Sequence, residues 1–179
     1  MSGNNECAVG TNSLTGHDSN TTWNITTPNA GGADDVTAFS NIQPLIGGSN
    51  VDRYVLSGVG SIPSIDGKDG TNRLQGRNDT TNNWNVSRAD GGTVTNVTGT
   101  FSNIDDLVGG AGDDNFVLSG TGSVNSITGN GGVNSLTARD NGINSWGITA
   151  ANSGSVNDVG SFVGIQDLIG GAFTDNFVL

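Results

Sequence analysis

Side chains able to do chemistry are few in this chain. It has one His, His17 beside Asp18, and one Cys, Cys7. Nucleophilic hydrolysis needs a Ser or Cys held against a base, with a third group to orient that base. Both residues fall near the N-terminus and neither recurs downstream, so His17 reads as part of a surface turn and Cys7 as a small apolar filler. Paired carboxylates stand at Asp34/Asp35, Asp105/Asp106 and Asp113/Asp114. Such pairs can share acid and base roles. A polysaccharide-binding or polysaccharide-cleaving surface would also need cations for substrate carboxylates. Only six Lys and Arg are present, of which Arg77 and Arg139 fall at matching places. That reading stays as a second alternative, and the main expectation is that the chain is not an enzyme.

One segment has a sharper pattern. Gly109-Gly110-Ala111-Gly112-Asp113-Asp114-Asn115-Phe116-Val117 fits GGxGxDxUx in full. It resembles the nonapeptide of calcium-binding RTX β-rolls. The resemblance implies a calcium site at Asp114, with Gly110, Gly112 and Asp113 contributing. The glycines would allow a tight turn, carbonyl and carboxylate oxygens would point inward, and the apolar residue would plug the core. Calcium suits such oxygen-rich, flexible cages. Two related segments depart from the pattern: Asn50 and Phe173 replace the third glycine, while Asp52 and Asp175 keep the carboxylate. A competing reading has Asp52, Asp114 and Asp175 capping turns by accepting nearby backbone N–H groups.

Those related segments belong to a longer repetition. Phe101-Ser102-Asn103-Ile104-Asp105-Asp106-Leu107-Val108-Gly109-Gly110 recurs from Phe39 to Gly48 and from Phe162 to Gly171. Trp23, Trp84 and Trp146 are spaced by 61 and 62 residues. Gly-x-Asn-x-Leu recurs with Asn12/Leu14, Asn72/Leu74 and Asn134/Leu136. The chain is therefore read as three repeats, 2–56, 57–118 and 119–179, with no linker between them. Each has too few large apolar residues to close its own core, so the repeats must lean on one another.

Composition fixes the class of element. Gly (30 residues) and Asn (24) dominate, and Glu, Met and Cys occur once each. Strong helix formers are scarce. Gly and Asn serve backbones that turn often and reach positive φ. Apolar residues two apart, as in Trp84/Val86 and Phe116/Leu118, suit strands. Only Phe101, Ile104 and Leu107, three apart, hint at a 3₁₀ turn. The expected fold is all-β: a single-stranded, right-handed β-solenoid of the β-helix or β-roll kind. It would have about 20 residues per coil and three coils per repeat of about 61. The three tryptophans would then share one interior column, and Asn12, Asn72 and Asn134 one corner. The aromatic residues of each repeat, Phe177 included, would be interior.

The formal net charge of −11 disfavours nucleic-acid partners, which need clustered cations. No apolar run reaches membrane-spanning length, and no signal peptide is evident at the N-terminus. The wider pattern W-N-[IV]…F-x-N-I-x-x-L-x-G-G…D-x-[FY]-V-L resembles β-strand tandem repeats of large bacterial surface proteins, the RTX-like and filamentous-haemagglutinin-like adhesins. The resemblance implies a structural module of an extracellular adhesin or fibre at the bacterial cell surface. Its partners would be neighbouring repeats or other copies of itself, joined end to end, with glycans or cell surfaces as further partners. Calcium binding through an RTX-like roll is the first alternative.

Overall fold

The computed structural model describes residues 10–179; Cys7 and the start of repeat one lie outside the described residues. Among the described residues there is no helix. Repeat one gives β1 (Leu14–Thr15), β2 (Thr21–Thr27), β3 (Ala30–Ala33), β4 (Val36–Phe39), β5 (Pro44–Ile46) and β6 (Asp52–Leu56). Repeat two gives β7 (Ser64–Asp66), β8 (Arg73–Gln75), β9 (Asn83–Arg88), β10 (Gly91–Val94), β11 (Val97–Ser102), β12 (Asp106–Val108) and β13 (Asn115–Leu118). Repeat three gives β14 (Val124–Thr128), β15 (Ser135–Thr137), β16 (Ser145–Ala150), β17 (Ser153–Val156), β18 (Val159–Val163), β19 (Asp167–Ile169) and β20 (Asn176–Val178).

The strands form two sheets. Sheet one runs β1-β5-β7-β11-β10-β9-β13-β15-β19, and sheet two runs β20-β16-β17-β18-β14-β12-β8-β6-β2-β3-β4. Most neighbours pair in parallel. Leu45 lies opposite Ile65, Tyr54 opposite Leu74, Leu107 opposite Ile127 and Phe116 opposite Leu136, each pair 20 residues apart. Parallel pairing buries both neighbours edge to edge, so inward positions read as an apolar ladder.

The expected three equal coils per repeat are not seen: each full repeat makes five visits to the two sheets, or two and a half winds, because one visit is lengthened by a fold-back. The tryptophan strand folds back on itself as an antiparallel meander: β2-β3-β4, β9-β10-β11 and β16-β17-β18. Its turns carry Asn29, Asp90, Asn96, Asn152 and Asp158 at φ between 50° and 71°. Asn and Asp tolerate this left-handed backbone, which tight hairpins demand. Phe101, Ile104 and Leu107 are all buried, but on a strand, a turn and a strand; Asn103 at φ 55° turns the chain where a 3₁₀ turn was expected.

The meander has a topological result. In repeat two the chain visits sheet one (β7), sheet two (β8), sheet one (β9 to β11), sheet two (β12) and sheet one (β13). Five visits is an odd number, so repeat three starts on the other sheet. Trp84 therefore sits in sheet one, and Trp23 and Trp146 sit in sheet two. The expected single column of tryptophans is corrected to an alternating one. The corner asparagines alternate too: Asn12 and Asn134 lead into strands of sheet one, and Asn72 into sheet two.

One buried cluster draws on all three repeats, from Trp23 to Ile165. Its recurring unit is an aromatic trio. Trp84 meets Phe101 edge-on at 6.1 Å and stacks on Phe116 at 5.5 Å. Trp23 does the same with Phe39 and Tyr54, and Trp146 with Phe162 and Phe177. Each fully buried large side chain contributes on the order of 2 kcal/mol or more through burial alone.

Candidate functional site

The glycine-rich turn is built around Asp114, which is fully buried. Its Oδ2 accepts the Gly110 N–H at 2.6 Å. Its Oδ1 accepts from the Asn82 backbone N–H at 2.9 Å and from Asn82 Nδ2 at 2.7 Å. Its own amide donates to Asn134 Oδ1 at 2.9 Å. The paired glycines follow from this packing. A Cβ on Gly109 would collide with the Asp114 carboxylate, and one on Gly110 with the carbonyl of Arg77 on the neighbouring strand connection. A Cβ on Gly112 would meet only the Thr80 carbonyl, at 3.1 Å. That tight but yielding contact explains why Asn50 and Phe173 are tolerated at its equivalents.

The same cap recurs. Asp52 Oδ2 accepts from Gly48 N at 2.9 Å, and Asp175 Oδ1 accepts from Asn144 N and Nδ2 at 2.9 and 2.8 Å. In repeat one Thr21 stands where Asn82 and Asn144 stand, and its hydroxyl turns to the Ser19 carbonyl. Asp52 Oδ1 is left buried without a partner. Burial raises the carboxyl pKa of both Asp114 and Asp52 above the usual carboxylate value, although the donated N–H bonds pull the other way.

The two carboxylates expected at the calcium site, Asp113 and Asp114, turn to different partners. Asp113 is exposed and its Oδ1 accepts the Val133 N–H at 2.7 Å, while Asp114 points inward to three N–H donors. A cation at Asp114 would have to displace those donors and would find amide N–H groups where a calcium cage needs oxygens. Among the described residues no three His, Cys, Asp or Glu side chains converge. The donor set at Asp114 fits a turn cap.

The other candidates have separate tasks. His17 is exposed. Asp105 Oδ2 accepts the Asn72 N–H, Asp106 Oδ1 accepts from Asn125 and Ser126, and Asp34 Oδ2 accepts the Thr22 N–H. Arg77 pairs with Asp79, and Arg139 with Asp158. Residue spacing alone missed Asn82, which lies 32 positions before Asp114 because the meander lengthens that wind. The Asp90-Gly91 dipeptide is the signal that reveals the meander.

The most unusual surface is the C-terminal rung. Tyr54 and Phe116 are 0% exposed, each stacked on a tryptophan and covered on the other side by Leu74 or Leu136. Their counterpart Phe177 stacks on Trp146 at 5.3 Å but is 51% exposed, contrary to the interior place expected for it. Val178 (63%) on β20 and Ile169 (47%) on β19 are exposed as well. Among the described residues β20 and β19 are edge strands at this end, and β1 and β4 are edge strands at the other. No protein-family model matches the chain, and neither does any curated protein or solved structure.

Proposed function

We propose that this chain is a structural module of an extracellular fibre or bacterial adhesin, a right-handed β-solenoid of three repeats that stacks end to end and performs no catalysis. One observation carries the reading: the two end rungs are the separated halves of a joint that occurs twice inside the chain. Within the chain, β6 pairs with β8 and β13 with β15, both parallel, placing Tyr54 against Leu74 and Phe116 against Leu136. β20 corresponds to β6 and β13, and β1 corresponds to β8 and β15. Among the described residues, neither has a neighbour on the side where that partner would lie. Unpaired strand edges template pairing with another chain.

The internal joints also set the register. Phe177 would meet Leu14 of a second molecule, Val178 would meet Thr15, and the Asp175 amide would meet Asn12 Oδ1, as the Asp114 amide meets Asn134 Oδ1. A hollow of about 140 Å³, lined by Leu14, Trp23, Ala33 and Val36 among others, lies at the receiving end. A head-to-tail contact of this kind does not close on itself, so it propagates as a filament.

Light scattering against concentration, with negative-stain imaging, tests the proposal. Linear particles that grow with concentration and vanish in Phe177→Asp are expected. A wild-type protein that stays monomeric at several hundred micromolar overturns self-stacking. Adding EDTA should leave the β-sheet circular dichroism and the melting temperature unchanged, because Asp114 is satisfied by N–H donors; a calcium-dependent rise in melting temperature would favour the RTX-like alternative.

A further inference from the structure

Of the six basic residues, Lys68, Arg77 and Arg139 form ion pairs and Arg88 donates to the Phe101 carbonyl. Arg53 and Arg73 form no ion pair among the described residues. They are direct cross-strand neighbours on β6 and β8, outward of the buried Tyr54–Leu74 pair. Like charges directly opposite each other on a sheet are destabilising. The Arg73 Nε–H is buried and has no hydrogen-bond partner. Asp106 lies opposite Arg73 on the next strand, but its Oδ1 is held by Asn125 and Ser126. Asp34, near Thr22 on the far side of Arg53, is engaged by the Thr22 amide.

We propose that Arg53 and Arg73 form a binding site for one carboxylate or sulfate group of an acidic sugar. Two guanidinium forks on adjacent strands, about 4.8 Å apart, can share a single planar or tetrahedral anion. The next outward positions along the same strands are Val55 and Gln75, with Asn24 beside Val55. An apolar patch between two amides suits a sugar ring with its hydroxyls. Polyphosphate does not suit the surface: the net charge of −11 and the flanking Asp34 and Asp106 admit one anionic group and repel a dense row of them. The crowding also lowers the Arg73 pKa, through burial first and through Arg53 second.

Calorimetric titration of the wild-type protein with galacturonate, neutral galactose and sodium sulfate tests the site. The uronate should bind at least tenfold more tightly than the neutral sugar, and sulfate should compete with it. Arg53→Gln and Arg73→Gln should each weaken uronate binding at least tenfold, and Arg53→Lys less than Arg53→Gln. The melting temperature of Arg53→Gln should not fall, since the substitution relieves repulsion at an exposed position. If Arg73→Gln fails to fold, Arg53→Gln decides alone. Absence of uronate binding at millimolar concentration, or equal binding by wild type and Arg53→Gln, overturns the site. Tighter binding of an RNA oligomer than of the uronate overturns the ligand class.

Discussion

The joint at Trp84 and the joint at Trp146 contain the same parts and differ in what covers them. Phe116 stacks on Trp84 and is sealed by Leu136, whereas Phe177 stacks on Trp146 and stays half exposed. Stacking geometry is nearly identical, with ring planes 14° and 10° apart. The aromatic contact is therefore local to a repeat, and its protection from water comes from the next rung. A rung becomes core only when another rung follows it.

Emptying the inner joint should have the largest effect. Trp84→Ala is expected to cost roughly 3–5 kcal/mol, the usual range for deleting a large buried aromatic; an unchanged denaturant midpoint would place the ring outside the core. Phe116→Ala should cost about as much, while Phe177→Ala in the monomer should cost about 1 kcal/mol, because half of its surface is already in water. Equal losses at the two positions would break the comparison.

The polar ladder offers the same contrast at smaller scale. Asn134 Nδ2 donates to the Gly164 and Gly131 carbonyls and its Oδ1 accepts from Asp114, so Asn134→Ala strands several buried groups and should cost about 2–3 kcal/mol. Asn12→Ala at the open end should change stability by less than about 0.5 kcal/mol. Thr21→Asn should stabilise the chain by about 1 kcal/mol, by giving Asp52 Oδ1 the partner that Asn82 gives Asp114. Chemical denaturation of each variant checks all three.

The smallest expected effect is a slope with pH. Burial raises the Asp52 and Asp114 carboxyls above their ordinary value of 3.8. The folded state then holds protons that the unfolded state has released. Stability from these two groups is greatest below the ordinary value and declines as pH rises through their folded values. Asp66 works the other way. Burial pushes its pKa up, but hydrogen bonds from Asn103 and Lys68 leave it lowered, so its contribution is lost as pH falls through its folded value. Melting temperatures between pH 3 and 7 should show Asp66→Asn losing the acid-side fall and Asp114→Asn losing the decline above it.

Much of this was legible in the residues. The repeat, the all-strand character and the buried tryptophans follow from spacing and from the Gly/Asn bias. The sequence pattern suggests that the paired glycines serve a tight turn, and packing adds a second cause: each clears a neighbouring atom that a Cβ would strike. The meander was hidden because a repeat of about 61 residues is close to three times 20, which concealed a fold-back marked only by Asp90-Gly91 and its equivalents. Sheet alternation depends on whether the count of crossings is odd or even, and no single residue encodes that. The exposure of Phe177 could not be foreseen from its type, since it matches Phe116; only its place in the stack differs.

The odd number of crossings also governs balance. Each meander lengthens one wall by two extra strands, and the next repeat lengthens the opposite wall, so an even number of full repeats leaves both walls level. Three repeats leave one wall at nine strands and the other at eleven. Any array that continues the pattern would have to add repeats in pairs, or alternate the facing of whole molecules, to keep its axis from leaning to one side.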